Sequence, residues 1–263
     1  MRIGVIGLGI VGNSLFTSFE LKNLDVKGYD KYKLKDSFEE VIDSAIIFLC
    51  LPTPFDDNKK EYDKDAIHEI CSRLIENSYS GIVVLKSTVE PGTTNMLGDR
   101  YNLKFVHNPE FLSTATAFED FHNQSHIVIG RSKNINDKEV DKLINFYNDH
   151  YPLTEISVCE CSESESMKIF CNSFYSVKLQ FFNELYLLCQ KNNVNYNVVR
   201  NLMLKNGWIN KLHTQVPGVD GKLSYGGACF PKDTNALLNY MIRNNSDCEV
   251  LRATIEERNK MRE

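Results

Sequence analysis

A thiol is presented where a carbonyl carbon could reach it. The stretch "YGGACFPKD" (225–233) puts Cys229 after two glycines and ahead of Pro-Lys-Asp, which reads as a loop-to-helix junction. Nearby positive charge and a helix N-terminus both lower a thiol pKa and favour the thiolate, the form that attacks carbonyls. A second pair lies in "ESMKIFCNS", where Lys168 and Asn172 are four residues apart. On a helix they share a face and can converge on one oxygen, and a cation with an amide donor suits a developing oxyanion. A third pattern opens the chain. In "IGVIGLGIVG", Gly7, Gly9 and Gly12 follow G-x-G-x-x-G between an apolar strand and a helix whose first turn holds Ile10 and Val11. Such glycines allow a tight turn and a close backbone approach to a pyrophosphate at the helix N-terminus. Asp30 ends the next apolar run, near the spacing of a ribose-binding acid. It would repel a 2′-phosphate, so the expected cofactor is NAD rather than NADP. Lys31, Lys33 and Lys35 soften that preference, and Lys35 is kept as a cofactor-side candidate.

These groups need a scaffold. The β-rich runs "RIGVIG", "DVKGYD", "AIIFLCL", "GIVVLKS", "LKFVHN" and "HIVIG" alternate with helix-like stretches such as "VGNSLFTSFEL" and "KDAIHEICSRLIEN". Near-continuous apolar strands alternating with helices predict a parallel sheet covered on both faces. From about Glu160 the pattern is helical only, and "SESESMKIFCNSFYSVKLQFFNELYLLCQKNN" predicts one unusually long helix. Along it Phe174, Val177, Phe181, Leu185 and Leu188 form an apolar stripe, expected to pack into the core and compatible with a helix shared between two subunits. The stretch 206–228 reads as a long functional loop, and two helices near 231–244 and 247–262 follow. The expected fold is α/β: a Rossmann-like dinucleotide-binding domain over 1–158, then an all-helical domain with a long central helix over 159–263.

Composition limits the partners. A net charge of −5 over 263 residues argues against nucleic acid or a membrane surface, so an anionic substrate needs a local basic pocket. A strand begins at Arg2 and no apolar run reaches membrane length, so a soluble cytoplasmic chain is expected. The 8 cysteines lack paired zinc spacing, with Cys159 and Cys161 the only close pair, and are read as reduced thiols without a metal.

"GLGIVG", "CLPTP", "LKSTVEPGTT", "HNPEFL", "ESMKIFCNSFYSVKLQFFNEL" and "YGGACFPKD" occur in this order along nearly the whole chain. In that combination the sequence resembles the nucleotide-sugar dehydrogenases, the family containing UDP-glucose 6-dehydrogenase and GDP-mannose dehydrogenase. The resemblance implies that two NAD molecules successively oxidise a sugar C6 alcohol to a carboxylate, most simply on UDP-glucose. A cysteine holds the intermediate as thiohemiacetal and then thioester. By matched position, Cys229 is the nucleophile, Lys168 and Asn172 steady the oxyanion, and Asp233 assists proton transfer to or from water. Thr53, Thr88 and Lys232 match cofactor-side positions. Glu110, Phe111, Leu112 and Thr114 fall in the substrate-side loop, and Tyr225 and Gly226 line the sugar-nucleotide site. His107, His122, His126 and His213 match no role and are expected to be surface or satisfied core residues. A homodimer through the long helix is expected.

Two departures matter. After "PEFL" typical members carry a glutamate linked to hydrolysis where this chain has Thr114, in "NPEFLSTATAFEDF". Typical members also continue into a C-terminal UDP-binding domain. This chain stops at "ATIEERNKMRE", so a short form lacking that domain, with a more open site, is expected. Two other readings stay open: a 3-hydroxyacid or 6-phosphogluconate type of dehydrogenase, which oxidises once and needs no Cys229, and a degenerate NAD- or sugar-nucleotide-binding protein without turnover.

Overall fold

The computed structural model describes residues 1–262. The chain divides into two compact units, one of residues 1–54 and 62–168, the other of residues 55–61 and those from 169 onward.

The first unit is built on a seven-stranded sheet. Its strands are β1 (Ile3–Ile6), β2 (Val26–Tyr29), β3 (Ile46–Leu49), β6 (Ile82–Leu85), β7 (Lys104–His107), β8 (His126–Arg131) and β9 (Glu155–Glu160), in the spatial order β2-β1-β3-β6-β7-β8-β9. Between them run the helices α1 (Ile10–Leu21), α2 (Phe38–Ile42), α3 (Asp65–Glu76), α4 (Thr93–Tyr101), α5 (Ala117–His122) and α6 (Asp137–His150). Residues 55–61, which belong to the second unit, carry the short strand β4 (Phe55–Asp56), paired with β5 (Glu61–Tyr62). Side chains of β3 alternate between two cores: Ile46 and Phe48 join Leu15, Phe19 and Phe146, whereas Ile47 and Leu49 join Val41, Leu74 and Phe105. A strand buried on both faces must be apolar throughout, which is why these runs are uninterrupted. The Gly7 turn follows β1 between strands that lead away to either side, a position where open α/β sheets bind ligands.

The sheet is not wholly parallel, contrary to the expectation. β8 pairs antiparallel with β7 through Val106–Arg131 and His107–Gly130, and β9 runs parallel to β8. The segment after β7 stays at the carboxyl end of that strand and makes no crossover, so the chain re-enters the sheet reversed.

The long helix α7 spans Cys161–Lys191, 31 residues, close to the expectation. Its first turns belong to the first unit. Ser164 Oγ lies 2.8 Å from His107 Nδ1, and a Cβ at Gly130 would come within 2.6 Å of the Ser164 Cβ, so glycine there permits the close approach of helix to strand. Its apolar stripe requires a correction. Phe174, Phe181 and Leu188 are exposed, as is Phe170, and Val177 and Leu185 are only half-buried. The buried positions are largely polar instead: Lys168, Asn172, Ser173, Ser176, Gln180 and Asn183. Periodicity identified an apolar face but not what covers it.

The second unit contains the remainder of α7 with α8 (Tyr196–Lys205), α9 (Phe230–Arg243) and α10 (Glu249–Arg262). Phe182, Cys189, Tyr196 and Val216 form its small core, and α9 packs on α10 and β4. No helix or strand interrupts 206–229, in keeping with the predicted loop. Among the described residues no helix is long and apolar enough to cross a membrane, and no His/Cys/Asp/Glu cluster could hold a metal.

Candidate functional site

In the first unit the glycine turn is shaped from both sides. Gly7 has φ +90, and a Cβ there would lie 2.5 Å from the Cys50 carbonyl oxygen; a Cβ on Gly12 would lie 1.8 Å from the Gly7 carbonyl oxygen. Both glycines are therefore demanded by the protein itself. Gly9 is different, because a Cβ there would meet nothing within 4 Å. It caps the N-terminus of α1 with no side-chain hydrogen bond, Ile10 beside it is exposed, and Val11 is half-buried. An open surface over unsatisfied helix N–H groups is what a pyrophosphate requires.

Asp30 follows β2 and reaches back to this turn. Its Oδ2 accepts the Leu8 N–H at 2.7 Å and its Oδ1 the Tyr32 N–H at 2.9 Å. The three lysines after it already have partners. Lys31 pairs with Glu69 at 2.9 Å, Lys33 donates to the Leu8 carbonyl, and Lys35 stands 3.5 Å from Glu20 and over the Phe16 ring. Lys35 thus lies against α1, and none of the three forms a cluster for an extra phosphate. At the ends of β3 and β6, Thr53 Oγ1 donates to the Thr88 carbonyl at 2.8 Å, so these two cofactor-side candidates are brought together.

The loop expected to face the substrate follows β7. Lys168, 4% exposed, donates to the Glu110 carbonyl at 2.5 Å and stands 3.2 Å from Glu110 Oε1. Glu110 Oε2 accepts the Leu112 N–H at 2.6 Å, and the half-exposed Phe111 ring lies 5.1 Å from Lys168 Nζ. Thr114 is exposed on a turn held by Asp120, whose Oδ2 accepts both the Ser113 N–H and the Thr116 hydroxyl at 2.8 Å.

In the second unit, Cys229 is exposed at the N-cap of α9, with Pro231 in the first turn, where a missing N–H costs no helix bond. Its carbonyl accepts the Asp233 N–H at 3.0 Å. Asp233 is fully buried and accepts from Asn172 Nδ2 and Lys232 Nζ, each at 2.6 Å. Gly227 has φ +76, a conformation glycine adopts freely. Tyr225 is not presented: its ring is 2% exposed and its hydroxyl lies 3.4 Å from Thr234 Oγ1. The space beside Gly226 is filled from within the protein, since a Cβ there would lie 2.4 Å from Arg262 Nη1.

Of the four histidines that matched no role, His122 bonds Ser18, His126 bonds Ser157, and His213 stacks on Tyr175 at 4.5 Å. His107 is a core residue whose Nδ1 is met by the Ser164 hydroxyl. It is completely buried, its Nε2 has no hydrogen-bond partner, and burial pushes its pKa down to about 3, helped by the charge of Lys86. Glu165, one turn before Lys168, carries no sequence signal. Its carboxylate accepts from Gly92 N, Thr94 N and Thr94 Oγ1 at 2.6–2.7 Å at the start of α4, while burial raises its pKa to about 7. Nothing in its spacing marks it, because its partners lie about 70 residues away.

Residues 27–149 match the NAD binding domain, and residues 162–260 the central domain, of one family of dehydrogenases named for UDP-glucose and GDP-mannose. The chain belongs to the UDP-glucose/GDP-mannose dehydrogenase family. It is 30% identical over 228 residues to UDP-glucose 6-dehydrogenase of Rickettsia prowazekii, which covers 82% of this chain and 49% of the relative. The chain therefore spans about half the length of that relative. A solved UDP-glucose dehydrogenase from Pyrobaculum islandicum is similar with a TM-score of 0.86 and 25% identity, over 98% of this chain and 68% of that one. A GDP-mannose dehydrogenase from Pseudomonas aeruginosa, with a TM-score of 0.67 and 23% identity over 99% of this chain and 69% of that one, shares the fold. For a member of the UDP-glucose/GDP-mannose dehydrogenase family, the open Gly9 position, the bare α1 N-terminus and Asp30 fit NAD.

Proposed function

We propose that the chain carries out the NAD-dependent oxidation of a nucleotide sugar, UDP-glucose foremost, at C6 to the uronic acid. NAD, bound over the Gly7–Gly12 turn, supplies the acceptor for two successive two-electron oxidations. The remaining chemistry falls to side chains. Once the alcohol has become an aldehyde, the Cys229 thiolate forms a C–S bond to the carbonyl carbon and the carbonyl pair moves onto oxygen. Lys168 and Asn172 donate to that oxygen. The second oxidation leaves a thioester. Water adds, the C–S bond breaks, and the thiolate returns as the carboxylate departs, with Asp233 assisting the proton transfers. The balance is one alcohol, one water and two oxidised cofactors to one carboxylate, two reduced cofactors and three protons.

The observation that carries this reading is the exposed thiol at the start of α9, one turn from the buried Asp233–Asn172 pair. The test is NADH formation across a panel of UDP- and GDP-sugars with stoichiometry recorded. Two NADH per sugar supports it; one would indicate the single oxidation of the hydroxyacid type, and none a binding protein. We further propose a homodimer in which two copies of α7 cover each other's exposed Phe170, Phe174, Phe181 and Leu188.

A further inference from the structure

Two ammonium groups address consecutive carbonyls of one loop. Lys168 holds the carbonyl of Glu110. Lys86, immediately after β6, stands 3.5 Å from the carbonyl of Pro109 and donates to Asn108 Oδ1 at 2.9 Å. Lys86 is 3% exposed. Asn108 Oδ1 also accepts the Tyr147 hydroxyl at 2.6 Å, and its Nδ2 donates to the Val128 carbonyl at 2.7 Å. The partner of Lys86 is thereby fastened to α6 and β8. A buried ammonium is expensive to desolvate, and an apolar side chain of similar length would serve packing as well or better. The charge at 86 calls for a role that packing does not supply, and the segment it faces is the one that carries Glu110.

We propose that Lys86 is a positioning residue: with Asn108 it fixes the 108–112 segment from the sheet side, so that Glu110 and Lys168 hold one arrangement during the reaction. The reaction half of this rests on the function proposed above; the positioning half does not. The titratable groups around Lys86 come from four elements. Cys50 lies just beyond β3, His107 and Glu110 are at and after the end of β7, Lys168 is on α7, and Tyr147 on α6. Burial lowers the Lys86 pKa to about 8; Cys50 and Glu110 act against that fall and Lys168 adds to it. The ammonium therefore loses its charge as pH rises through about 8, and the Glu110–Lys168 arrangement loosens with it.

Lys86→Met and Lys86→Arg test this in the full chain. A misplacement of about 1 Å is able to cost roughly 10²-fold in rate. In Lys86→Met, NADH turnover with the nucleotide sugar should fall by about that factor while the KM for NAD changes less than about twofold. Amide exchange at Leu112, whose N–H reports the Glu110 carboxylate, should rise at least about tenfold with the melting temperature little changed. Lys86→Arg should recover part of the rate and move the loss of activity above pH 8 to higher pH. Unchanged turnover, unchanged Leu112 exchange, or a uniform rise in exchange across the sheet would overturn the proposal. If the unsubstituted chain makes no NADH from any nucleotide sugar, the functional reading falls, and the Leu112 exchange still decides whether Lys86 holds the segment.

Discussion

Asn172 Nδ2 lies 2.6 Å from Asp233 Oδ2, and the carboxylate they share with Lys232 is wholly withdrawn from solvent. Removing one member of a buried charged group leaves the others desolvated without compensation, at about 3–5 kcal/mol. Asp233→Ala should accordingly lose about 3 kcal/mol of stability together with turnover, measured by urea unfolding and NADH production. Full stability in that variant would show that Lys232 and Asn172 find other acceptors.

Cys229 is exposed and contributes nothing to a core. Cys229→Ser should stop uronate formation while leaving NAD affinity and the unfolding midpoint nearly unchanged, because a serine hydroxyl without an activating base is a poor nucleophile. Wild-type acid formation, followed by chromatography, would exclude the covalent route.

Thr114 can hold a water but cannot act as a carboxylate base, and Asp120 beside it already accepts from Ser113 and Thr116. General-base assistance is worth about 10²- to 10⁴-fold, so thioester hydrolysis should lag behind the oxidations. Rapid mixing should give a burst of NADH and then a slower rate, with an acyl adduct on Cys229 by mass spectrometry. Thr114→Glu should shrink the burst. If neither burst nor adduct forms, another group already assists water.

Glu165 ties α7 to the start of α4, and burial raises its pKa from 4.5 to about 7. An acid whose folded pKa is raised binds its proton more tightly in the folded state. Its contribution is therefore complete below about pH 4.5 and lost as pH rises through about 7, a difference on the order of 3 kcal/mol. Urea titrations from pH 5 to 8 should show stability falling. The same series on Glu165→Gln should lose most of that slope, and an unchanged slope would assign it to other groups.

The exposed aromatic residues on α7 make the dimer testable. Phe174→Glu with Phe181→Glu should shift sedimentation at micromolar concentration from dimer to monomer. A wild-type monomer would refute the pairing.

Much of this was legible in the sequence, for specific reasons. The strands buried on both faces announced themselves as apolar runs, and Gly7 and Gly9 stood between strand and helix, with Gly12 in the first turn of α1, as their chemistry requires. β9 escaped because "EISVCE" is an edge strand with half of its residues exposed, so it carries no continuous apolar signal. α8 escaped because the asparagine-rich run before it reads as loop, although Asn195 is its N-cap. The direction of β8 depends on where the preceding loop runs, which no residue in the strand encodes. Lys86 and Asn108 sat inside quoted motifs, yet their role emerges only once Pro109, Tyr147 and Val128 converge on them. For the stripe on α7, spacing identified a face but not its neighbour.

The filling of the Gly226 position by Arg262 has an evolutionary consequence. Arg262 also donates to the Ser224 carbonyl and to Asp220, both at 2.9 Å. A methyl group at 226 would displace only the far end of a flexible side chain, so its penalty is the two hydrogen bonds given up rather than a backbone clash. The fates of the two positions are thus coupled. Within this lineage, drift away from glycine at 226 should be tolerated mainly in backgrounds where 262 has already shortened, a compensatory pair joining the turn before Cys229 to α10.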